Sequence, residues 1–276
     1  MRVISLLTDF GLEDPYVGIM KGVILSRAPA AAIVDLTHQV DPQDLTAAAF
    51  LIDGAYCWFP MHSVHVIVVD PGVGGSRAIV AMAAAGHFFL APDNGVLTRI
   101  LDSGPVEALV YVENPEFFIH PVSRTFHGRD IFAPVAAHMA LGRALSDFGP
   151  QASVADLKRL DLPVPYESDT DAGAVLVGTV IGIDRFGNLI TNLDEARLRS
   201  FVPDPETAGL SVHIGGHAVH GLARSYQAAA PGELLAIIGS RGYLEISVNT
   251  GDASRHCAAG RGSEVRVSRP RPPGSF

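Results

Sequence analysis

The chain has 276 residues, enough for one large or two medium domains. Twenty Lys and Arg against 29 Asp and Glu leave a net charge of -9, which excludes the basic footprint a nucleic-acid partner needs. Hydrophobic residues at 48%, charged ones at 18% and a mean hydropathy of +0.27 point to strands buried on both faces or to surface covered by oligomerisation. In chain order, residues 3–7 read as a strand that meets Thr8-Asp9, and residues 17–25 as a helix. Residues 32–36, 64–69 and 78–82 read as further strands, and residues 131–141 as an apolar helix. This alternation predicts an α/β domain over residues 1–150, its central sheet flanked by helices. Residues 151–172, polar and proline-bearing, read as a linker. Short strands then recur at 173–183, 188–193, 210–214, 234–237, 243–248 and 264–267, which predicts a smaller β-barrel domain over 173–268 and a disordered tail over 269–276.

No apolar run approaches the roughly 20 residues of a bilayer span, and the stretch before Asp9 is too brief for a secretion signal. No membrane partner and a cytoplasmic location are expected. Cys57 and Cys257 show no metal or disulfide spacing and are expected as reduced thiols. No His-x-x-x-His or His-Glu-x-x-His pair with a third ligand signals a metal site.

Three constellations carry chemistry-bearing residues in the first domain. Val69-Asp70-Pro71-Gly72-Val73-Gly74-Gly75-Ser76-Arg77 runs from a strand into a glycine loop with a carboxylate and a guanidinium, without the Walker or dinucleotide spacing. Arg124-Thr125-Phe126-His127-Gly128-Arg129-Asp130 sets His127 just before a helix, where the macrodipole favours a neutral ring. Thr8-Asp9-Phe10-Gly11 ends a strand with a carboxylate suited to a ribose diol. In the second domain, Asp184-Arg185-Phe186-Gly187-Asn188 and Gly239-Ser240-Arg241-Gly242 combine acid, amide, aromatic and guanidinium in glycine-bearing turns. Each of these is also served by a structural role, as a cap, a surface ion pair or a hairpin turn.

In order along the chain, Thr8-Asp9-Phe10-Gly11, Asp70 to Gly75 with Arg77, Pro92-Asp93-Asn94-Gly95, Phe126 to Asp130, Asp184 to Asn188 and Gly239 to Gly242 resemble the S-adenosylmethionine hydroxide adenosyltransferases, relatives of fluorinating and chlorinating enzymes. The resemblance spans residues 1 to about 268. It implies hydrolysis of S-adenosylmethionine to adenosine and methionine without a cofactor, in a homotrimer whose active sites lie at subunit interfaces. By position it implies Asp70, Arg77 and His127 as a water-activating triad and Asp9 as the ribose carboxylate. It further implies Asp184, Phe186, Asn188, Ser240 and Arg241 around adenine and the amino-acid end, with Tyr226 stacking near adenine. The halogenating relatives carry an extra loop and lack the histidine, so His127 favours water over halide as the nucleophile. A halide-dependent adenosyl transferase, a binding protein without turnover and a nucleoside hydrolase acting at C1′ remain the alternatives.

Overall fold

Apolar residues alternate between two faces in the N-terminal strands, and the alternation decides the layering. The computed structural model describes residues 2–170, 173–204 and 209–269, which fall into two units, 1–161 and 162–276. In the first unit β1 (Ile4–Thr8), β2 (Ile33–Thr37), β3 (Val64–Val68), β4 (Ile79–Ala84), β5 (His87–Pro92) and β6 (Val106–Tyr111) form one sheet in the order β2-β1-β3-β5-β4-β6. The first four of that order run parallel, and β4 is antiparallel to both of its neighbours. Ile4, Leu6, Val64, Val66, Ile79 and Ala81 point to a core shared with Met20 and Ile24 of α1 (Tyr16–Arg27) and with Val135 and Met139 of α4 (Ala133–Ala140). Leu7, Ile67, Val69, Val80 and Met82 point the other way, onto Ile52 of α2 (Leu45–Asp53) and Ile100 of α3 (Thr98–Ser103). Strands with apolar residues on both faces therefore take helices on both sides, one of the two arrangements to which the composition pointed.

The predicted strands at 3–7, 32–36, 64–69 and 78–82 correspond to β1 to β4, while β5 and β6 went unread. The β4–β5 connection is the two-residue Ala85-Gly86, both at positive φ. Its alanine hides the hairpin signal that Asn-Gly or Asp-Gly would have carried.

The second unit is an antiparallel sheet in the order β11-β10-β14-β8-β9-β13-β12, with β7 added on β8. Its strands are β7 (Tyr166–Thr170), β8 (Gly173–Ile183), β9 (Leu189–Asp194), β10 (Ser211–Ile214), β11 (His217–His220), β12 (Leu234–Ile238), β13 (Tyr243–Val248) and β14 (Glu264–Ser268). Two short helices, α5 (Glu195–Phe201) and α6 (Ala253–His256), accompany them. The long β8 bulges between Val180 and Gly182, pairing with β7 and β14 along its first part and β9 along its last. End strands β11 and β12 approach each other, so the sheet is nearly closed around Leu176, Leu193, Phe201, Leu244 and Val265.

The residues read as a linker are engaged in structure. Gln151 bridges to Val110, the Lys158 amide donates to Asp93 and the Leu160 amide to Thr98, all within the first unit. Residues 166–170 form β7, an exposed edge strand with no apolar alternation to betray it, and residues 171 and 172 lie outside the described set. Arg269, read as the start of a tail, sets its guanidinium 4.2 Å over the Phe201 ring; residues 270–276 lie outside the described set. Among the described residues no helix is long and apolar enough to cross a membrane.

Candidate active site

Asp70 follows the carboxyl end of β3, where the open sheet directs its loops to one edge. The Asn94 amide donates to the Val69 carbonyl at 2.9 Å, pinning the turn, which gives the Pro92-Asp93-Asn94-Gly95 motif a supporting role. The glycine loop then folds back so that Arg77 Nε donates to both Asp70 oxygens, at 2.8 and 3.0 Å. Gly74, at φ +75°, packs against the segment that carries His127; a Cβ there would fall 2.0 Å from the Arg124 carbonyl oxygen. This close approach brings the two constellations together, and Arg77 Nη2 donates to His127 Nδ1 at 2.8 Å.

His127 precedes a π-helical turn, Gly128–Phe132, that continues into α4. Fully buried Asp130 anchors this turn by accepting from the Ser123 amide at 2.8 Å and from the half-buried Arg129. A guanidinium can only donate, so Nδ1 of His127 carries no proton and the neutral ring holds its hydrogen on Nε2. Burial and then the Arg77 charge hold the imidazole below its ordinary pKa, against the opposing pull of Asp70 and Asp130. The lowered pKa favours the neutral ring, with burial and a guanidinium as its leading causes.

Asp9, Phe10, Gln43, Asp70, Phe126 and His127 line a cleft of about 270 Å³ in the first unit. One wall is aromatic: Phe126 meets Tyr16 and Phe10 edge-on, with centroids 5.0 and 6.2 Å apart. Asp9 accepts the Gln43 amide at 2.8 Å, and Gln43 itself sits at positive φ. Arg77 does not line the cleft, because its guanidinium lies behind Asp70 and His127, gripping both.

The second unit gathers the other six predicted residues, Asp184, Phe186, Asn188, Tyr226, Ser240 and Arg241, around a cavity of about 860 Å³. Asp184 closes the β8–β9 turn: one oxygen accepts the Phe186 and Asn188 amides, both at 2.9 Å, and the other accepts Asn188 Nδ2 at 2.8 Å. That closure leaves Phe186 projecting at the rim, 76% exposed. Ser240 and Arg241 form the β12–β13 hairpin turn and also line the cavity. Sequence reasoning missed Glu245, buried in β13 and lining the same cavity; its signal is an acid inside an otherwise buried strand.

Residues 4–149 match the SAM hydroxide adenosyltransferase N-terminal domain and residues 178–266 the C-terminal domain of the same family. The chain belongs to the SAM hydroxide adenosyltransferase family. It is 38% identical to the (R)-S-adenosyl-L-methionine hydrolase of Thermus thermophilus, over 97% of this chain and all of the relative. A fluorinase from an Actinoplanes species is more distant, at 28% identity over 90% of this chain and 91% of the relative. Among solved structures, an uncharacterized conserved protein from Thermotoga maritima superposes with a TM-score of 0.89 at 36% identity, covering 96% of this chain and all of that one.

Proposed function

We propose that this family member hydrolyses S-adenosyl-L-methionine to adenosine and L-methionine, with the (R)-sulfonium form named for its relatives among its substrates. The observation that carries the reading is the Arg77-braced pair of Asp70 and His127 beside Asp9 on one cleft. Water donates one hydrogen to the Asp70 carboxylate and accepts from His127, which holds its oxygen toward C5′ of the ribose. As the O–C5′ bond forms, the C5′–S bond breaks with its electron pair left on sulfur, and the water proton passes to Asp70 and then to solvent. A cationic leaving group departs neutral, so charge is lost toward the transition state and a water-poor cleft favours the step. Bulk water has a pKa of about 15.7, which is why the acceptor must be charged and fixed. Arg77 is a positioning residue: it orients Asp70 and holds the tautomer of His127. Asp9 takes the ribose diol, and the second-unit cavity takes adenine and the amino-acid end. Asp184 and Asn188 shape that pocket, and Phe186 and Tyr226 supply its aromatic surface. Ser240 and Arg241 receive the amino-acid carboxylate. No cofactor is required by this chemistry. We further propose a cytoplasmic homotrimer with active sites at subunit interfaces, consistent with the apolar composition and testable by light scattering.

Product chromatography after incubation with the (R) and (S) epimers, with and without chloride or fluoride, tests the reaction. Equimolar adenosine and methionine are expected. A 5′-halo-adenosine, free adenine, or tight binding without methionine release would each replace this reading. Asp9→Ala is expected to weaken adenosine binding about tenfold by calorimetry while leaving kcat within about threefold; an unchanged Kd would remove Asp9 from the ribose.

A further inference from the structure

The second-unit cavity contains an acid to which no role has yet been given. Glu245 is 6% exposed, yet it lines the cavity from within β13. A carboxylate has about four acceptor positions, and among the described residues the Glu245 side chain receives one hydrogen bond, from the Tyr226 hydroxyl at 3.4 Å. Asp184, by contrast, spends its oxygens on three bonds that close its own turn. The room for the Glu245 carboxylate is made by Gly239, where a Cβ would fall 1.9 Å from Oε1. Burial pushes the Glu245 carboxyl above the ordinary glutamate range; nearby Arg241 pulls it down and Asp184 pushes it further up. The cavity thus presents an under-bonded buried carboxylate beside a guanidinium, the opposed pair of charges that an amino-acid zwitterion matches.

We infer that Glu245 is a substrate-binding residue whose carboxylate accepts hydrogen bonds from the α-ammonium of the methionine end, while Arg241 takes the carboxylate of the same group. The assignment rests on S-adenosylmethionine being the substrate. It explains why a charged residue occupies a strand whose other positions are buried and uncharged. It also explains a glycine at position 239 that has no need of a left-handed backbone.

The test measures KM for S-adenosylmethionine and for its analogue lacking the α-amino group, in the wild type, Glu245→Gln and Gly239→Ala. Glu245→Gln keeps the shape and removes the charge; Gly239→Ala keeps the charge and displaces the carboxylate. Both variants are expected to raise KM for the parent substrate about 10- to 100-fold and to change KM for the analogue less than about twofold. Equal penalties on both substrates, or none on either, overturn the assignment. So does a penalty that survives removal of the α-amino group and disappears when the purine lacks its 6-amino group. Wild-type protein that releases no methionine from S-adenosylmethionine defeats the functional reading itself, whereas active wild type with unselective variants defeats only the role of Glu245.

Discussion

Asp70→Asn is expected to lower kcat by about 10²- to 10⁴-fold while leaving adenosine affinity within about threefold. The amide keeps the size of the carboxylate but cannot accept the water proton, and it turns one of the two atoms facing Arg77 into a donor. Arg77→Lys separates positioning from proton acceptance. An ammonium matches the charge, but it cannot bond both Asp70 oxygens through one fork while also donating to His127 Nδ1. A loss of about 10²-fold is therefore expected for the lysine variant, because a misplacement of about 1 Å carries that cost. His127→Ala removes the group that fixes the water oxygen and should fall between these two. Single-turnover methionine release and calorimetry with adenosine make the measurement. Wild-type turnover in Asp70→Asn would exclude the carboxylate as acceptor, and full activity in Arg77→Lys would exclude the bracing role. The cleft geometry also orders the pair: Arg77 acts through its partners, so its variant should lose less than that of Asp70.

Much of this arrangement was legible in the sequence, and for a physical reason. The residues proposed to meet the ligand sit where β-strands end and glycines begin, so Asp9, Asp70 and the turn motifs at 184–188 and 239–242 stand out locally. Many strands of both units were legible because burial on two faces writes apolar runs such as that of β4, whereas β5, β6 and the exposed β7 were not. What escaped depends on contacts distant in sequence. That Arg77 lies behind the cleft follows from the Gly74 approach to Arg124, 50 residues away in sequence from Gly74. Glu245 gains its meaning only when Gly239 and Arg241 are folded against it. Tertiary bonds from residues 151–160 to Asp93 and Thr98 likewise converted an apparent linker into part of the first unit.

Acidification should destabilise the first unit well before its carboxylates are all protonated, because two histidines are buried uncharged in its sheet. Ser5 Oγ lies 2.7 Å from His65 Nδ1, and His65 Nε2 lies 3.2 Å from His87 Nδ1, a chain across β1, β3 and β5. His65 is fully buried, stacked on Phe89 with Tyr56 and Phe59 edge-on. Burial, and then the charge of His87, lowers its pKa to about 3, and burial lowers that of His87 as well. In the unfolded chain an imidazole titrates near 6.5. The folded state favours the neutral ring, so this stabilisation is fully present above about pH 6.5 and is lost as pH falls from there toward 3. At about 1.4 kcal/mol per unit, His65 alone accounts for roughly 4 to 5 kcal/mol by pH 3, a large share of the 5–15 kcal/mol typical of a domain. His65→Phe retains an aromatic ring against Phe89 and cannot be protonated. Urea unfolding followed by far-UV circular dichroism at pH 7.5, 6, 5 and 4 should show the wild-type midpoint falling more steeply than that of the variant. Parallel profiles would mean that the histidine chain takes up its proton without opening the sheet. A steeper wild-type profile would identify neutral His65 as the group whose ionisation limits the fold in acid.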